Sequence, residues 1–167
     1  MKNLKLFLVF MTLSLFLIFT ACSREVEKVE GNSIVGTWTF SEATADVIES
    51  NNPEYNSIIG TFVAERGRKD NNNSFFVFAE DGTVTSGFSD EVGTYIASYT
   101  FKNDVLTFID EEFTVNVPAS VDGNKLYIYA DYADHFNDLG LDELIKLGIG
   151  DPSTRAEKAI VKLTYTK

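Results

Sequence analysis

The sequence predicts an all-β domain: an antiparallel up-and-down β-barrel of about 8–10 strands, with a short helix after the first strand and one before the last. Three observations predict it. After the apolar run Phe75 to Ala79, Thr94 to Lys102 and Phe113 to Val117 alternate with the two-residue period of half-buried strands. The turn signals Asp81-Gly82, Asn103-Asp104 and Asp122-Gly123 recur 22 and 19 residues apart, which leaves room for two strands of roughly ten residues per step. No helical crossover fits between them, as parallel strands would need.

The elements follow in order. Ile34, Gly36, Trp38 and Phe40 alternate with Val35, Thr37 and Thr39, giving a first strand. Glu42 to Ser50 suits a short helix with Ser41 as N-cap, ended by Asn51-Asn52-Pro53. Ile58 to Ala64 reads as a further strand and 67–73 as a long loop, with the basic patch Arg66-Gly67-Arg68-Lys69 at its start. Phe75 to Ala79 and Val84 to Phe88 flank the first hairpin turn. In Thr94 to Lys102, Tyr95, Ala97, Tyr99 and Phe101 share one side. Val105 to Ile109 and Phe113 to Val117 are strands, the second ended by Pro118. Leu126, Ile128 and Ala130 share a face of the next. Leu141, Leu144 and Ile145 have helical spacing within 131–148, with Gly148 placed to end that helix. Ala159 to Thr166 closes the chain as a strand.

The N-terminus has a different character. Lys2 and Lys5 precede an apolar run from Leu6 to Phe19, and small residues follow, the layout of a secretory signal peptide over 1–21. Phe19-Thr20-Ala21-Cys22 resembles the lipobox of bacterial lipoproteins, with Phe19 where that family usually has Leu. The resemblance implies a diacylated thiol on Cys22, cleavage before it and acylation of the new amine. Residues 22–33 then read as a lipidated tether, and 34–167 as the domain. The expected location is the cell envelope, anchored by lipid, most naturally at the outer membrane on its periplasmic or surface-exposed face. A single cysteine forms no internal disulfide.

Gly36-Thr37-Trp38 opening the first strand, followed by a meander, a helix and a final strand, is similar to the lipocalin-like β-barrels. The resemblance implies that Gly36 and Trp38 form the closed end of the barrel, with an arginine from near the last strand across the indole. Lys162 is the cation in that strand, and Arg155 lies just upstream. The Thr-Asp-Tyr motif of core lipocalins is missing, which points to the wider lipocalin-like class. Closing the sheet buries the apolar face and removes edges; a two-sheet β-sandwich is the alternative that the same pattern permits. A transmembrane barrel would need an apolar outer band, and Thr94, Ser98, Thr100 and Lys102 do not supply one.

Composition narrows function. The chain carries 25 acidic and 14 basic residues, net −11; loss of Lys2 and Lys5 with the signal peptide makes that −13. Such a surface argues against nucleic acid as a partner. His135 is the only histidine and Cys22 the only cysteine, so neither a zinc set nor a nucleophile–base pair can be assembled from them. Asp131, Asp134, Asp138 and Asp142 would share a helix face, read as a solvated one. No catalytic residue, metal or cofactor is expected. Tyr95, Tyr99 and Phe101 are the candidate ligand-binding residues: lining a cavity, they would contact a small hydrophobic ligand, with the hydroxyls orienting it. The alternatives are a filled core and an envelope scaffold whose outer face docks another envelope protein.

Overall fold

The computed structural model describes residues 33–167. The expected signal peptide, Cys22 and the tether up to residue 32 lie outside the described residues. Eight antiparallel strands close into one barrel in sequence order. They are β1 (Gly36–Ser50), β2 (Ser74–Phe78), β3 (Thr83–Phe88), β4 (Thr94–Lys102), β5 (Val105–Ile109), β6 (Thr114–Asp122), β7 (Lys125–Asp131) and β8 (Ala156–Thr166). β8 returns to pair with β1, so every strand has two neighbours and the sandwich alternative falls away.

The turns form where their residues permit. Asn103 and Asp104 both adopt positive φ, 53° and 58°, the backbone of a two-residue hairpin turn whose twist matches its strands. Asp81 accepts from the backbone N–H of Thr83 at 2.9 Å, bracing the β2–β3 hairpin.

Four expectations are corrected. The helix read over 42–50 is strand: β1 runs on to Ser50 and pairs with β8 as far as Ala156. Register shifts at Phe40/Glu42 and Ala45/Val47 each insert one extra residue in β1 and interrupt its strict alternation, while the shift at Glu49/Ser50 falls on β8. The inward residues therefore fall at Phe40, Ala43, Ala45 and Ile48, a spacing that imitates a helix.

The segment read as a strand and loop over 58–73 is helix α1 (Asn56–Asn71). Its buried residues include Ile59, Val63 and Gly67, one stripe at four-residue spacing. The basic patch thus lies on the last turns of α1, not on a loop.

The late helix is two, α2 (Ala133–Asn137) and α3 (Leu141–Lys146), parted around Gly140. The Glu143 carboxylate accepts from the Gly140 N–H at 2.9 Å, and Gly148 (φ 83°) follows the second helix. Asp131 lies in β7, so the four aspartates share no single helix face.

Finally, β6 continues through Pro118. Ala119 donates to Asp104 at 2.9 Å, so Pro118 directs its missing donor away from β5. It faces β7, whose pairing starts only at Ala119–Ile128.

Directly opposed residues share a face, so the register defines the interior. Trp38, Phe40, Phe76, Phe78, Val84, Ala97, Tyr99, Leu106, Phe108, Leu126, Ile128, Val161, Leu163 and Tyr165 point inward. α1 lies on the inner face of the β1–β8 ribbon. A Cβ on Gly67 would stand 3.0 Å from Val161 Cγ1 and 3.4 Å from Ala43 Cβ and Leu163 Cδ2. The helix Ala133–Asn137 also packs on it, Phe62 of α1 meeting Phe136 edge-on at 6.0 Å.

Candidate functional site

One end of the barrel is shut. Trp38 is fully buried, and its indole N–H donates to the Ile34 carbonyl at 2.6 Å. Lys167, the last residue, sets its ammonium 4.6 Å from the indole centroid. The cation across the tryptophan is thus neither Lys162 nor Arg155. Lys162 lies instead over Tyr127 on the outer surface, 5.6 Å from the ring. Gly36 makes the arrangement possible: its φ of 131° suits glycine, and a Cβ there would meet Lys167 Cε at 3.0 Å.

Above this plug the interior is packed with rings. Phe78 meets Tyr99 edge-on at 4.8 Å. Phe76 lies 5.7 Å from Phe78, 5.8 Å from Phe108 and 5.1 Å from Tyr165, and Phe40 meets Tyr165 edge-on at 5.6 Å. Such pairs gain ~0.5–1.5 kcal/mol each beyond burial.

At the other end, α1 stops the β1–β8 side. A polar cluster sits under its last turn. The Tyr165 hydroxyl donates to Asn71 Oδ1 at 3.1 Å and shares a 3.3 Å hydrogen bond with Ser74 Oγ. Asn71 Nδ2 donates to the Tyr132 hydroxyl at 3.1 Å and to the Gly67 carbonyl at 2.8 Å. Burial pushes the Tyr165 hydroxyl up to about 12 and raises that of Tyr132 as well.

The β4–β6 side of this end is open. Tyr95, Phe113 and Val115 keep 43%, 46% and 43% of their surface exposed. The alternation of β4 and β6 gives Tyr95 and Val115 the inward parity of Tyr99 and Val117. The rings of Tyr95 and Phe113 lie nearly parallel, 12° apart with centroids separated by 6.3 Å. Tyr95 is in register with Ser86, which is small and leaves its ring uncovered. The Tyr95 hydroxyl donates to the Asp110 carboxylate. Desolvation, that hydrogen bond and the charges of Asp110 and Glu112 push the hydroxyl up to about 12. The same bond, with the N–H of Glu111, holds Asp110 below the usual carboxylate value.

The three candidate residues therefore occupy one line along β4 but different depths. Tyr95 stands at the mouth. Tyr99 is 6% exposed and donates to the Ala79 carbonyl at 2.9 Å, which ties it to the β2–β3 turn. Phe101 is half-buried at the closed end, opposite Leu106. Sequence reasoning missed Phe113, Val115 and Asp110 as mouth residues. The parity of Phe113, Val115 and Val117 was the available signal, and only the β5–β6 connection brings it beside Tyr95.

An open cleft of about 670 Å³ lies between β1 and α1, lined by small and polar residues including Thr44, Asp46, Ser57, Thr61 and Glu65. His135 Nε2 lies 3.9 Å from Asp70, whose carboxylate also accepts from Arg66 at 2.9 Å. Among the described residues, no group of three or more metal-ligating side chains converges, and no helix is long and apolar enough to cross a membrane. Comparisons with family models, curated proteins and solved structures found no match. The architecture by itself defines the class: a closed, eight-stranded antiparallel β-barrel, shut at one end.

Proposed function

We propose that this chain is a lipid-anchored envelope lipoprotein whose barrel binds a small hydrophobic ligand at its mouth, without catalysis. The observation that carries the binding reading is the contrast along β4. Towards the closed end Ala97 and Tyr99 are buried and Phe101 is half-buried, whereas at the mouth inward-facing Tyr95 and Val115, with Phe113, stay exposed. Exposed apolar side chains with one placed hydroxyl at the open end of a barrel suit an apolar ligand. The cost of leaving them in water would be recovered on binding, at ~25 cal/mol per Å² covered.

The test is titration with an uncharged fluorescent apolar probe. Tyr95→Ala combined with Phe113→Ala is expected to weaken binding at least tenfold while the circular dichroism spectrum stays unchanged. Equal binding by the double variant, or none by either protein, contradicts the reading.

The anchor rests on the lipobox resemblance at Cys22. A mass spectrum of the mature protein is expected to begin at an acylated Cys22, and an unmodified Met1 or an unacylated Cys22 would refute it.

The packed rings of the lower interior favour a second reading, a scaffold that docks an envelope protein. Stoichiometric cross-linking to one partner in cells, together with absence of probe binding, would select it.

A further inference from the structure

We infer that the mouth ligand is a cationic amphiphile: a flat apolar body carrying an ammonium or similar positive group. The inference rests on the binding reading above and adds the ligand's charge. The site is made by aromatic faces; the carboxylates around it decide what those faces will hold.

Two loops flank the Tyr95–Phe113 pair. The β3–β4 loop, 89–93, carries Asp90 and Glu91; the β5–β6 connection, 110–113, carries Asp110, Glu111 and Glu112. Neither loop contains a lysine or arginine. The closed end differs, since Lys102, Lys125 and Lys167 are interspersed there with Glu80, Asp81, Asp104 and Asp122.

Hydrogen bonds position two of the five mouth carboxylates. Asp90 accepts from Asn73 Nδ2 at 2.9 Å, which pins the first loop to the end of α1. Asp110 accepts from the Tyr95 hydroxyl and from the N–H of Glu111 at 2.6 Å. One carboxylate therefore sits against the rim of an exposed ring. On the last turns of α1, Arg66 is engaged by Asp70 at 2.9 Å and Arg68 lines the β1–α1 cleft.

An exposed aromatic face attracts a cation through its quadrupole, and like-signed loops around it raise the local concentration of cations. An anionic amphiphile would meet the same apolar wall and be repelled at the rim. A neutral one would gain burial alone.

Three probes built on one naphthalene ring test this: a quaternary ammonium, an uncharged tert-butyl analogue and a sulfonate, titrated against the purified protein. The ammonium is expected to bind at least tenfold tighter than the uncharged probe, and the sulfonate more weakly than either. The advantage of the ammonium should shrink as salt rises. It should shrink likewise in the Glu111→Gln, Glu112→Gln double variant, whose affinity for the uncharged probe stays unchanged. Equal affinity for the ammonium and uncharged probes overturns the charge inference and leaves the binding reading standing. Ammonium binding that survives Tyr95→Ala with Phe113→Ala also overturns it, because the cation then sits elsewhere on an acidic surface. Absence of binding by all three overturns both.

Discussion

Tyr165 links the packed interior to the polar cluster beneath α1. Its ring meets Phe40 and Phe76, while its hydroxyl reaches Asn71 and Ser74. Tyr165→Phe keeps the ring and leaves Asn71 Oδ1 without its donor, so a cost of about 1–2 kcal/mol is expected from urea unfolding. The hydroxyl also predicts alkaline behaviour. Its folded value, about 12, lies above the ordinary 10.0. Between those values the folded state holds a proton that the unfolded state has lost. Its contribution is therefore complete below pH 10 and lost as pH rises towards 12, about 2–3 kcal/mol from this group. Tyr99 and Tyr132 are raised too and act with the same sign. The fall in stability from pH 10 to 12 should be shallower in Tyr165→Phe than in the parent; an equal slope would remove Tyr165 as its source.

At the scale of elements, β1 and α1 depend on each other. β1 is 15 residues long and outruns its four-residue pairing with β2, so its far half is held by β8 and by α1. The bulges that let it curve are also what hid it from the sequence, because inward residues two and three apart read as a helix. The same logic concealed α1. Gly60 and Gly67 weaken its helical signature, yet the close approach to the strands needs them. A Cβ on Gly67 would meet Val161 at 3.0 Å, whereas one on Gly60 would meet Ala45 and Ile48 at 3.4 Å. Gly60→Ala is therefore expected to gain most of the ~0.5–1 kcal/mol of helix propensity. Gly67→Ala should gain less or lose stability. Thermal unfolding of both variants checks the order, and a more stable Gly67→Ala would contradict the packing of α1 on the inner face.

The strands without bulges were legible. β4, β5 and β7 lie where two-residue alternation places them, and the turns between β2–β3, β4–β5 and β6–β7 sit at their Asp-Gly or Asn-Asp signals. The plug at Trp38 was legible as Gly-x-Trp, but its cation was not. Lys167 reaches the indole only because β8 closes against β1, a long-range consequence that no local pattern carries. The mouth was half legible. Tyr95 announced itself by parity in β4, whereas its neighbours Phe113 and Asp110 depend on the path of the β5–β6 connection.

For the whole molecule, the barrel is asymmetric from end to end. One end is sealed by an indole, a lysine and rings in contact. The other is divided between a helix that stops one side and exposed aromatics under acidic loops on the other. Residue 33, where the described chain begins, is at the sealed end, opposite the mouth. Amide chemical-shift mapping with the naphthyl ammonium probe tests the binding site most directly. Perturbations are expected in 86–97 and 108–117, with the amides around Trp38 and Lys167 unmoved. Shifts centred on the closed end or on the β1–α1 cleft, or no saturable shifts at all, would contradict a ligand site at the mouth.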